Sequence, residues 1–104
     1  MIYPEELKGL KQVTARVKSC EIKFDDDNLA NPLVIVMTLE IESGEIFFIL
    51  SIESLPALLM LLEIYNYKNI VGSYCQLWYE SYRNFKYIAH AINPTEIFME
   101  LNKS

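Results

Sequence analysis

Lys11-Gln12-Val13-Thr14-Ala15-Arg16-Val17-Lys18-Ser19-Cys20-Glu21-Ile22-Lys23-Phe24 is the stretch whose reading decides the fold. Val13, Ala15 and Val17 share one parity, whereas Cys20, Ile22 and Phe24 share the other. A strand can keep both sets on one face only by carrying an extra residue, so the pattern predicts a β-bulge near Lys18-Ser19. A long first strand bent in this way can serve both halves of a curled sheet, which a small barrel requires.

Asp25-Asp26-Asp27-Asn28 and Asn31-Pro32 end that strand in an acidic loop. Leu33 to Glu42 then alternates, with Leu33, Ile35, Met37, Leu39 and Ile41 on the core face. Ser43-Gly44 reads as a tight reversal into Glu45 to Leu50, pairing Ile41 with Ile46, Leu39 with Phe48 and Met37 with Leu50. The opposite face carries Val34, Val36, Phe47 and Ile49, too much apolar surface to meet water along its whole length.

Ser54 reads as an N-cap and Pro56 falls in the first helical turn, so a helix is predicted from Leu55 to Ile64. Its apolar residues cover most of its circumference, which suits a plug at a barrel end or a shared face. Tyr65 to Asn69 closes it, and Gly72 leads to a fourth strand, Tyr74 to Glu80. Ser81-Tyr82-Arg83-Asn84 reads as the turn to a fifth, Phe85 to Ile92. Asn93-Pro94-Thr95-Glu96 has capping-box form, which predicts a short C-terminal helix over Thr95 to Leu101.

The expected fold is therefore α+β and β-rich: a five-stranded OB-like barrel or curled antiparallel sheet, in the order β-β-β-α-β-β, within one domain of residues 1–104. The span Val13 to Ile92 resembles an OB-fold in its bulged first strand and in the helix between strands three and four. It is also similar in size and layout to small proteins encoded by bacteriophages, in which a glycine such as Gly72 precedes a strand like Tyr74-Cys75-Gln76-Leu77-Trp78. The resemblance is one of architecture and transfers no functional residue.

An apolar content of 52% argues against disorder, and 14 acidic against 9 basic residues give a net charge of −5. That field repels phosphate backbones, and the seven lysines and two arginines are scattered. The first residues, Met1-Ile2-Tyr3-Pro4-Glu5-Glu6, lack the basic and apolar character of a secretory signal, and Leu55 to Ile64 falls short of the about 20 residues of a membrane span. A cytoplasmic location with Cys20 and Cys75 as reduced thiols is the expectation.

Two surfaces compete as binding sites. Trp78, Tyr82, Arg83 and Lys86 combine aromatic and basic groups in the manner of a single-strand nucleic-acid platform, yet strand parity splits the aromatics of residues 74–87 between two faces. Glu42 facing Glu45 across the hairpin, with Glu40 nearby, forms an acidic rim around Phe47, Ile49, Val34 and Val36. A polar rim about an apolar centre is how protein interfaces are built, and the acidic side would select a basic partner. The leading expectation is a non-catalytic protein-binding module, a small acidic protein of the phage-encoded kind that binds and modulates or inhibits a host protein, a nucleic-acid-binding protein of a nucleic-acid-guided defence system included. The alternatives are an OB-like single-strand nucleic-acid accessory protein and a homo-oligomeric structural protein. Three adjacent aspartates lack the alternating spacing and glycine of a calcium loop, and His90 stands without a zinc or nucleophile signature, so no metal, cofactor or catalytic group is expected.

Overall fold

The computed structural model describes residues 2–27, 29, 30, 32–64, 66, 69–81 and 84–101. Six antiparallel strands form one sheet curled into a half-barrel: β1 (Lys11–Phe24), β2 (Leu33–Ile41), β3 (Gly44–Ser51), β4 (Tyr74–Ser81), β5 (Asn84–His90) and β6 (Phe98–Glu100). Their spatial order is β3-β2-β1-β4-β5-β6, an arrangement compatible with an OB-like barrel.

β1 is the hinge of this sheet, for the reason its phase change implies. Its first half, Lys11 to Arg16, pairs with β4, and its second half pairs with β2. The β1–β2 register shifts between Val17 and Ser19, which leaves Lys18 as the bulged residue and puts Cys20 on the same side as Val17. Gly72, at φ +94°, lets the chain enter β4 close to this bulge: its N–H donates to Val17 O, and Val17 N–H donates to Ser73 O.

The core lies within the curl. Ala15, Val17, Ile35, Met37, Leu39, Cys75, Leu77 and Ile88 come from the strands, and Leu58 and Leu61 of the helix that follows β3, with Leu62 at its end, close the cluster. α2 spans Leu55–Leu61 after a 3₁₀ turn, Ile52–Ser54. It is shorter than Leu55 to Ile64 because Glu63 turns left-handed at φ +55°. Ile64 N–H then donates to Leu59 O and Glu63 N–H to Met60 O, the two bonds of a Schellman terminus. Ser54 makes no side-chain cap; Ser51 Oγ caps the preceding 3₁₀ turn instead, accepting from Glu53 N–H at 3.3 Å. Pro56 does fall in the first turn.

Three expectations need correction. The hairpin closes at Ile41 opposite Gly44, so Leu39 faces Ile46, Met37 faces Phe48 and Ile35 faces Leu50. The turn is thus Glu42-Ser43, with Gly44 at φ +148° just beyond it. The strands number six among the described residues, and the C-terminal helix is absent there. Asn93 O accepts from Glu96 and Ile97 N–H, which completes a single turn, and Phe98–Glu100 then pairs with β5 as β6. Ile97, Met99 and Leu101 alternate toward the core, and this burial together with the open edge of β5 outweighs the local capping signal.

A second bulge lies in β5. Tyr79 faces Phe85 and Trp78 faces Tyr87, so Lys86 has no partner in β4, and its carbonyl accepts from Leu101 N–H at 2.8 Å. Ahead of β1, the four-residue helix α1 (Pro4–Leu7) is capped by Glu6, whose carboxylate accepts from Tyr3 N–H. Ile2 is buried, and its N–H bonds Thr95 O, tying the N-terminal segment to the turn before β6. Among the described residues no helix is long and apolar enough to cross a membrane.

Cys20 and Cys75 are free thiols. Burial pushes Cys75 up to about 12, against an ordinary 9.0, and burial followed by the Glu21 charge raises Cys20. An acid raised on folding stabilises the native state fully below its unfolded pKa and loses that contribution as pH climbs through the folded value. Urea midpoints of the wild type should therefore fall more steeply than those of Cys75→Ala between pH 9 and about 12. Parallel curves would contradict this burial.

Candidate functional site

The outward face of β2 and β3 carries the exposed apolar group that sequence parity singles out as a binding surface. Val36 stands directly opposite Ile49, Thr38 opposite Phe47 and Val34 opposite Ser51. Phe47 and Ile49 are 69% and 70% exposed, whereas Val34 and Val36 are half-buried beside them. All four are brought to one surface because each occupies the outward parity of a strand whose other face is core.

The charges around this surface differ from the expected rim. The register sets Glu40, not Glu42, opposite Glu45, and Glu42 sits in the exposed turn. The Glu40–Glu45 opposition is offset by β1: Arg16 Nη1 lies 3.7 Å from Glu40 Oε1, and bulged Lys18 bonds Glu45 Oε1. The hydrogen bond and charge of Glu45 raise the Lys18 ammonium above its ordinary value. Lys23 pairs with Glu21 at 3.3 Å on the same strand. The apolar centre is therefore framed by ion pairs of both signs, and the carboxylates Glu40 and Glu45 are compensated. Sequence parity located the apolar set; the cations escaped notice because their positions depend on the bulge and on the true hairpin register.

The aromatic alternative is drawn into the structure. Trp78 is half-buried and its indole N–H donates to Pro94 O at 3.2 Å. Tyr87 packs edge-on against Phe98, with centroids 5.5 Å apart, and its hydroxyl is raised by burial and then by the carboxylates of Glu6 and Glu100. Tyr79 turns inward to Phe85, which meets Phe48 of β3 edge-on at 5.9 Å. Lys86 lies 3.8 Å from Glu80. Tyr82 and Arg83 lie outside the described residues. Among the described aromatics of residues 74–87 only Tyr74, on the outward face, is largely exposed.

His90 is an internal tie. It is 4% exposed, and Nδ1 accepts from the N–H groups of Ile92 and Asn93 at 3.1 and 3.0 Å. The ring proton then belongs to Nε2, which donates to Glu63 Oε1 at 3.1 Å. Nδ1 holds the turn that follows β5 and Nε2 ties it to Glu63 just beyond α2, so both nitrogens are used within the fold. In the acidic loop, Asp25 Oδ1 accepts from Asp27 N–H, a local turn bond. Among the described residues no three His, Cys, Asp or Glu side chains converge to hold a metal ion.

Compared with family models, with curated proteins and with solved structures, the chain matches none. The functional reading rests on geometry alone.

Proposed function

We propose that this protein is a non-catalytic binding module that docks on a partner protein through the outward face of β2 and β3 and modulates it. The observation that carries the reading is the pair Phe47 and Ile49, each more than two-thirds exposed, adjoining Val34 and Val36 within a frame of ion pairs. Two large apolar side chains standing out from a sheet cost solubility and add little to folding, whereas an apolar centre with a charged rim suits association. In this reading the half-barrel is an OB-like scaffold of the size used by small phage-encoded proteins. Its charge of −5 favours approach to a basic surface, including that of a nucleic-acid-binding protein.

The test is affinity capture from native lysate after nuclease treatment, with wild type and Phe47→Asp/Ile49→Asp compared at equal folded concentration. A stoichiometric protein partner is expected with the wild type, and its capture should drop at least about tenfold with the double variant. Equal capture by both would overturn the assignment of the face.

A further inference from the structure

We infer that His90 is an acid-sensitive latch: its neutral ring holds the turn of residues 91–97 shut, and a proton on Nδ1 releases that turn with the contacts it anchors. The inference is independent of the docking face. His90 is the one histidine of the chain and ends β5, where its side chain is buried. Nδ1 accepts from the N–H groups of Ile92 and Asn93, so the lone pair that a second ring proton would take is already engaged. An imidazolium carries N–H at both nitrogens. Protonated at Nδ1, the ring sets a donor against two backbone donors with no acceptor between them, and the turn must move away.

The other titratable groups around the ring leave this conflict in place. Nε2 donates to Glu63 Oε1 at 3.1 Å, a bond that serves the ring in either charge state, so the effect of the proton falls on Nδ1. Cys75, opposite His90 in β4, remains a thiol up to about 12. Glu96 in the turn is exposed to water, and Glu100 of β6 stands opposite Tyr87, three residues back along β5.

The turn carries attachments from three directions. Thr95 O accepts from Ile2 N–H, Pro94 O accepts from the Trp78 indole at 3.2 Å, and Ile97 O accepts from His90 N–H where β6 begins. Opening it therefore loosens the N-terminal segment and frees the indole together. The β1–β4 and β4–β5 ladders do not pass through the turn and stay paired. The open turn admits the proton and the closed turn excludes it. The closed state is thus at full strength above the range of a free histidine, about pH 6.5, and weakens as pH falls through it.

The test is amide hydrogen exchange on the full chain at about pH 8 and about pH 5.5, corrected for the intrinsic pH dependence of exchange, with the emission of Trp78, the one tryptophan, as a second readout. Opening at the Ile92 and Asn93 amides should rise at least about fivefold at the lower pH, where one proton per opening allows about tenfold. Trp78 emission should shift to the red while the Leu77 and Ile88 amides keep their protection. His90→Asn keeps an acceptor for the turn and takes up no proton, so its opening should change less than about twofold over the same range. Equal opening of the wild type at both pH values would overturn the latch. An equal rise in His90→Asn would do the same by assigning the proton to a carboxylate. Nitrogen NMR of the single ring needs no variant: at about pH 8 it should show a bare Nδ1 and a protonated Nε2. A proton on Nδ1 at that pH would contradict the proposal.

Discussion

Leu77→Ala is expected to cost about 2–5 kcal/mol of folding stability, the range for emptying a large aliphatic site in a packed core. Leu77 is fully buried and sits in register between Val13 of β1 and Ile88 of β5, in the middle of the β1–β4–β5 half of the curl. Neither flanking strand can collapse into the gap without breaking its own ladder, so the loss should lie toward the upper end of the range. Stabilities of small domains are about 5–15 kcal/mol, and such a change would leave the variant partly unfolded at 37 °C if the wild type lies at the low end. Urea denaturation measures it. Phe47→Ala in the same assay should move stability by less than about 0.5 kcal/mol, since its ring stands in water. A large loss for Phe47→Ala would mean that the ring serves the fold, and the binding reading would lose its support.

His90→Ala carries the second large effect, about 2–4 kcal/mol, because it strands two backbone donors and opens a buried space at once. The N–H groups of Ile92 and Asn93 lose their acceptor, and Glu63, held left-handed at the end of α2, loses its contact with β5. His90→Asn separates these contributions. Its side-chain oxygen can occupy the place of Nδ1 and accept from the backbone two residues on, but it offers Glu63 nothing. Asparagine should therefore recover about half of the stability lost to alanine. Equal losses for the two variants would show that the amide bonds contribute little.

Much of the architecture was legible because two signals are local. The parity change between Val17 and Cys20 placed the bulge near Lys18-Ser19, where the register shifts at Lys18, and Pro56 located the start of α2. The hairpin register was not legible, for a definite reason. A slip of two residues leaves every side chain on the same face, so Ile41 opposite Ile46 and Ile41 opposite Gly44 satisfy the apolar pattern equally. What decides between them is the turn, where Gly44 supplies the unusual φ after Glu42-Ser43. β6 was hidden differently. Asn93 to Glu96 carries a true one-turn signal, and the alternation of Ile97, Met99 and Leu101 is too short to compete until the edge of β5 is known.

The candidate surface followed the same division. Phe47, Ile49, Val34 and Val36 were assembled by parity alone, which the two-residue slip does not disturb. The electrostatics changed because Arg16 and Lys18 approach the hairpin across the bulge, converting an expected acidic rim into ion pairs. Single exposed pairs of this kind contribute little to stability, and their role in docking is to orient a partner. Trp78 shows the converse case, an aromatic whose burial depends on a turn sixteen residues away.

The most direct measurement is an amide hydrogen-exchange footprint of the protein bound to the partner recovered by capture. Binding through the proposed surface predicts slowed exchange over residues 34–38 and 45–51, with the amides of residues 74–80 and 86–90 unchanged. Protection confined to those latter segments would contradict the account and place the interface on the aromatic side of the half-barrel.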